Sequence, residues 1–148
     1  MLTNSLRILA LDLGKRRIGL AVSDELGITA QGLTTLQRGN KHQDLAALTR
    51  LIREKQVELI LLGDPRHMSG DRGRQSQWVD DFAQVLREFT GLEVKLWDER
   101  LTTVEASRVL RDSGISIEKR ARAVDQLSAV ILLQSYMDSL AYARGERE

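Results

Sequence analysis

ILALDLGKRRIGLAVSD, residues Ile8 to Asp24, opens on a nearly continuous apolar run, breaks at four polar or glycine positions, and resumes as a second apolar run. Arg7 to Leu13 reads as a strand buried on both faces. GKRR reads as a tight turn and Ile18 to Val22 as a second strand. So short a connection implies an antiparallel hairpin. Asp12 interrupts the first run and is followed by more apolar sequence. It should therefore be partly buried, where an unpaired carboxylate is costly. That cost favours a functional role for Asp12.

Working outward, Ile28 to Leu36 is expected to be a third strand. A helix follows from about Lys41 to Gln56, with an apolar stripe at Leu45, Leu48, Leu51 and Ile52. ELILLG, Glu58 to Gly63, is a further buried strand. DPRHMSGDRGR, Asp64 to Arg74, is a polar loop. Trp78, Phe82, Val85, Leu86 and Phe89 then fall on one helical face, and Gly91 is a plausible stop. EVKLW, Glu93 to Trp97, is a fifth strand. TTVE reads as a capping box, with Thr102 as cap and Glu105 reaching back, for a short helix ending near Gly114. A last helix runs from about Glu118 to Ala143. The order βββαβαβαα gives an α/β fold: a mixed sheet, antiparallel on one side and parallel on the other, with helices on both faces.

The chain has 148 residues, which suits one domain over 1–148. It has no cysteine, so any metal must bind through oxygen or through His42 and His67. Arg7 and Asp12 interrupt the N-terminal apolar stretch, so no secretory signal is expected. No run approaches the ~18 apolar residues of a membrane span. A cytoplasmic setting is the expectation. The net charge of +1 does not by itself suggest a polyanionic partner, but the local distribution of cations does.

Three strands end in acids: Asp12, Asp64, and the pair Asp98 and Glu99. Parallel strands present their carboxyl ends along one edge, where ligands usually bind. Carboxylates gathered there repel one another, and Mg²⁺ or Mn²⁺ relieves that repulsion. Asp in these positions also makes turns and caps, which is the competing structural explanation. Asp125 is a fourth candidate on the last helix, with Ala121, Ser128, Ala129 and Leu132 on its side of the helical wheel. Basic residues neighbour each acid. Lys15, Arg16 and Arg17 follow Asp12. Arg66, His67, Arg72 and Arg74 follow Asp64. Arg100 follows Glu99, and Lys119, Arg120 and Arg122 precede Asp125. Cations ringing carboxylates suit a substrate with many phosphates. Trp78 and Trp97 are expected in the core.

LALDLGKRRIGLAVSD (Leu9 to Asp24), WDERLTTVEA (Trp97 to Ala106) and VDQLSAVILLQSY (Val124 to Tyr136) together closely resemble the YqgF/RuvX family. Its members are called pre-16S rRNA nucleases or Holliday junction resolvases. The resemblance spans almost the whole chain. It implies a ribonuclease H-like fold and cleavage of pre-16S rRNA at its 5′ end, of branched DNA, or of both. The partners would be structured RNA or a ribosomal subunit precursor, and the state a monomer or homodimer. It carries acidic function onto Asp12, onto Asp98 or Glu99, and onto Asp125. Where the family reads GLP, this chain reads GDP, so Asp64 is a departure that is either an added metal ligand or a loop substitution. The expected chemistry is two-metal-ion phosphodiester hydrolysis, with Lys15, Arg17 and Arg100 on flanking phosphates. A non-catalytic RNA-binding assembly factor and an actin-like ATPase are the competing readings. The second lacks the length and the second glycine-rich hairpin it needs.

Overall fold

The computed structural model describes residues 6–64, 74–98, 116–143 and 145. The hairpin forms as read: β1 (Ile8–Leu13) pairs antiparallel with β2 (Arg17–Ser23), with Asp12 opposite Gly19 and Leu13 opposite Ile18. β3 (Ala30–Gln37) adds antiparallel to β2. Ile28 was expected inside β3. It lies instead in the turn, half exposed, because the Asp24 carboxylate accepts N–H bonds from Ile28 (2.7 Å) and Thr29 (3.2 Å) while Gly27 takes a positive φ of 72°. Slight burial pushes the Asp24 carboxyl up. Those two backbone bonds, the Thr29 hydroxyl and the Gly27 N–H outweigh it and hold the group below 3.8.

α1 (Lys41–Lys55) starts on a capping box between Asn40 and Gln43 and ends at Gln56 in the left-handed region. It carries the chain across to β4 (Leu59–Asp64), which pairs parallel with β1. α2 (Arg74–Thr90) leads to β5 (Glu93–Asp98), parallel to β4, and the long helix α3 (Ile117–Ala143) follows. The sheet order is β3-β2-β1-β4-β5. The short helix expected around the TTVE box lies outside the described residues.

The pleat sorts the core into two layers. Leu9, Leu11 and Leu13 of β1 meet Ile60 and Leu62 of β4, with α1 (Leu45, Leu48) and α2 (Val79, Phe82, Ala83, Leu86) packed over them. Ile8 and Ala10 point the other way, with Leu59 and Leu61, onto Ala129, Leu132, Leu133 and Tyr136 of α3. Helices thus cover both faces. The α2 stripe is rotated from the expected one. Val79 and Ala83 are buried, while Trp78 and Val85 are only partly buried and Phe89 is 49% exposed. Among the described residues no helix is long and apolar enough to cross a membrane.

Two glutamines seat α3. The Gln126 amide donates to Leu33 O at 2.8 Å and lies against Gly32, where a Cβ would come within 2.9 Å of Gln126 Cγ. Eight residues on, Gln134 accepts from Ala30 N at 3.0 Å and donates to Ile28 O at 3.0 Å. So α3 runs antiparallel to β3 and to β1. Its early turns lie toward the end of the sheet where β1 finishes.

Leu62 is fully buried between the sheet and the α1/α2 layer. Leu62→Ala is expected to cost about 3 kcal/mol, read from urea unfolding. Asp24→Ala is expected to speed amide exchange at Ile28 and Thr29 while leaving global stability within about 1 kcal/mol. The Asp24 carboxyl sits below its ordinary value, so its contribution holds above pH 3.8 and fades as the pH falls through the folded-state value.

Candidate nucleic-acid and metal site

Because β1, β4 and β5 are parallel, their carboxyl ends share one edge. Asp12 is the next-to-last residue of β1, half-buried, while Asp64 and Asp98 are the last residues of β4 and β5. Leu11 is level with Leu62, and Asp64 is directly paired with Asp98. Neighbouring strands lie roughly 4.8 Å apart, so these three acids come from adjacent rows of one sheet edge.

The pleat separates them by face. Asp12 alternates with Ile8 and Ala10, which face α3. Gly19, opposite Asp12, places no side chain beside it on that face. A β-bulge sits in the adjoining stretch of β3, where Thr34 and Thr35 span the step that Gly19 alone spans in β2. Asp64 alternates with Ile60 and Leu62, so its side chain starts on the α1/α2 face, where it is only 2% exposed.

Position 125 lies on α3 one turn before Ser128 and Ala129, both 0% exposed, on the helix face turned to the sheet. Its neighbour Gln126 is fastened to Leu33. Leu33 is opposite Leu20, and Leu20 is opposite Leu11. The start of α3 around position 125 is thereby fastened over the row of Leu11, the residue before Asp12. Ser128 Oγ is buried and has no hydrogen-bond partner among the described residues. A hydroxyl so placed costs about 1–3 kcal/mol. Sequence reading placed Ser128 beside Asp125 but gave no sign of its missing partner.

The cations follow the same edge. Lys15 and Arg16 are exposed on the turn after β1, and Arg17 opens β2. Arg74 opens α2, and Lys119, Arg120 and Arg122 occupy the first turns of α3. Each of α1, α2 and α3 begins at this edge. The positive ends of three helix dipoles add to the basic side chains there. Glu99, Arg66, His67, Arg72 and Arg100 lie outside the described residues.

Two residues that sequence reading missed stand beside the edge. Arg38 donates from Nε to Asp44 Oδ2 at 3.2 Å and from Nη1 to Gly14 O at 3.1 Å. Asp44 is 2% exposed and also accepts the Gly39 N–H at 2.9 Å. The Arg38 guanidinium covers the rings of Trp78 (4.9 Å) and Phe82 (5.7 Å), so Trp78 is committed to packing, as expected. Trp97 packs edge-on against Tyr136, also as expected. No sequence spacing marks Arg38, since its partners come from three different elements.

Among the described residues no three acids or histidines already converge on one point. The donor set at the edge is nonetheless carboxylate throughout, which suits hard divalent cations such as Mg²⁺ and Mn²⁺.

Comparison with known proteins agrees with this fold. A Thermus thermophilus RuvC structure in complex with a Holliday junction superposes with a TM-score of 0.56 at 15% identity, over 95% of this chain and 96% of that one. The Fowlpox virus resolvase gives a TM-score of 0.54 at 13% identity, over 91% and 99%. The fold is ribonuclease H-like. In sequence, the chain is 52% identical to a Koribacter versatilis protein named "Putative pre-16S rRNA nuclease", over 95% of this chain and 92% of that one. It is 46% identical to a protein of the same name from Clostridioides difficile, over 89% and 94%. The family model described as "RuvX: Holliday junction resolvase" matches residues 6–139, so the chain belongs to the RuvX family.

Proposed function

We propose that this chain hydrolyses phosphodiester bonds in structured nucleic acid with the help of divalent cations held at the carboxyl edge of the sheet. One observation carries the reading. Asp12 lies near the end of a buried strand beside a side-chain-free Gly19, and Gln126 fastens the start of α3 over the adjacent row of Leu11. Acid positions gathered at one sheet edge repel one another at a cost that a bound divalent cation relieves. The orphaned Ser128 hydroxyl adds to that cost, and it lies one turn from position 125 on the same helix face.

Asp12, Asp125 and either Asp98 or Glu99 would hold the cations, with Asp64 as a further ligand reachable from the opposite face. The bound cations would supply a water nucleophile at neutral pH and neutralise charge on the leaving oxygen. The protein's own part is to fix the carboxylates and to bind the phosphates on either side. Lys15, Arg16 and Arg17 on the first turn, Arg74 at the start of α2, and Arg120 and Arg122 on the first turns of α3 would serve that purpose. Arg66, Arg72 and Arg100 are further candidates for phosphate contacts by their place in the sequence. Contacts of this kind read backbone and shape rather than base sequence, as suits folded RNA or a branched junction.

The substrate follows from the relatives. Proteins half-identical to this one are named for pre-16S rRNA, and structures of similar fold are Holliday junction resolvases. The greater sequence identity favours the 5′ end of pre-16S rRNA, in the cytoplasm. The four-way DNA junction is the second candidate.

Purified protein assayed on a 16S rRNA precursor, a four-way DNA junction and single-stranded controls is expected to cut in Mg²⁺ or Mn²⁺ and not in chelator. Asp12→Asn and Asp125→Asn are each expected to lower the rate more than roughly 100-fold. Binding without cleavage in every metal would instead identify an RNA-binding assembly factor. Lys15→Ala and Arg16→Ala are expected to weaken binding evenly across sequences. Each should reduce the slope of log affinity against log salt by about 1.

A further inference from the structure

We propose that Arg38 is a positioning residue that pre-forms the basic turn Gly14–Arg17 for nucleic-acid binding; this rests on the function just stated. The turn is gripped at both ends by this one residue. The Arg38 main-chain N–H donates to Arg16 O at 2.9 Å, and its Nη1 donates to Gly14 O at 3.1 Å. Within the turn, Gly14 N–H closes onto Arg17 O at 2.9 Å. A Cβ on residue 14 would meet that same oxygen at 2.8 Å.

The guanidinium is itself immobilised. Asp44 takes its Nε, and the rings of Trp78 and Phe82 lie under its face. Three elements therefore converge on one side chain: the N-terminal turn of α1, the apolar face of α2, and the turn after β1. A buried ion pair is weak evidence for stability, because apolar side chains of similar volume often serve as well. What this pair supplies that an apolar cluster does not is a fixed donor aimed at Gly14 O. Lysine does not replace it, since a single ammonium lacks the planar fork that meets Asp44 and Gly14 together while stacking on a ring.

The consequence falls on Lys15 and Arg16. Two adjacent, exposed cations repel each other, and holding them in one place has an entropic cost that is otherwise met when substrate binds. A turn already fixed by Arg38 removes that cost from the binding step. The effect belongs in substrate affinity, not in the chemical step.

The test uses a four-way DNA junction and a 5′ precursor fragment of 16S rRNA. Binding is measured by anisotropy in Ca²⁺ and cleavage in Mg²⁺ or Mn²⁺. Arg38→Lys is expected to weaken binding and raise KM about ten-fold with kcat within about two-fold, and to speed amide exchange at Gly14. Lys15→Ala should cost less in the Arg38→Lys background than in the wild type, because the two act through one turn. Asp44→Asn, which keeps the shape and removes the charge holding the guanidinium, is expected to act in the same direction and serves if Arg38→Lys does not fold. A folded Arg38→Lys or Asp44→Asn protein with wild-type KM, or strict additivity with Lys15→Ala, overturns the proposal. Wild-type protein that binds neither nucleic acid overturns the proposed function along with it.

Discussion

The parallel pairing of β1 with β4 is the constraint on which the remaining structure depends. Two parallel neighbours cannot be joined by a turn, so the chain after β3 must cross the sheet as α1 before β4 can enter beside β1. The same requirement places α2 between β4 and β5. Each crossover begins where one strand ends and finishes where the next begins. Strand ends carrying Asp12, Asp64 and Asp98 are thereby gathered at the edge where the helices start. A polar, partly positive rim results from backbone direction alone, before any basic side chain is counted.

The antiparallel hairpin does different work. It provides β2 as a full partner for β1, so the strand bearing Asp12 is central and has neighbours on both sides. Asp12 is paired with Gly19 on the β2 side and lies one residue beyond the Leu11–Leu62 pair on the β4 side. The α3 acid has no such strand to hold it. Its placement depends on side-chain contacts, chiefly Gln126 against Gly32 and Leu33, and Gln134 against the start of β3.

Most of the architecture was legible in the residue pattern. Buried runs such as LILLG and ILALDL are distinctive because a strand covered on both faces has no alternation to lose. The acids at strand ends were legible for the same reason, since each stands out against an apolar run. Two kinds of feature were not legible. Element ends were set by local polar chemistry, as where Asp24 draws Ile28 out of β3. The buried face of α2 includes Val79 and Ala83 and leaves Phe89 half exposed, because small residues carry little weight in a pattern read from large side chains. The Arg38–Asp44 pair escaped because neither residue stands in a run or a motif. Its meaning arises only when α1, α2 and the first turn are brought together.

The spacing between Gln126 and Gln134 has a consequence for how such chains can vary. Both amides fasten to the same edge strand across eight helical residues, a little over two turns. Inserting or deleting one residue between them rotates everything upstream by about 100° relative to everything downstream. Lineages of this protein should therefore tolerate length changes in the loops far better than within this helical segment, which behaves as a ruler whose graduations are residues.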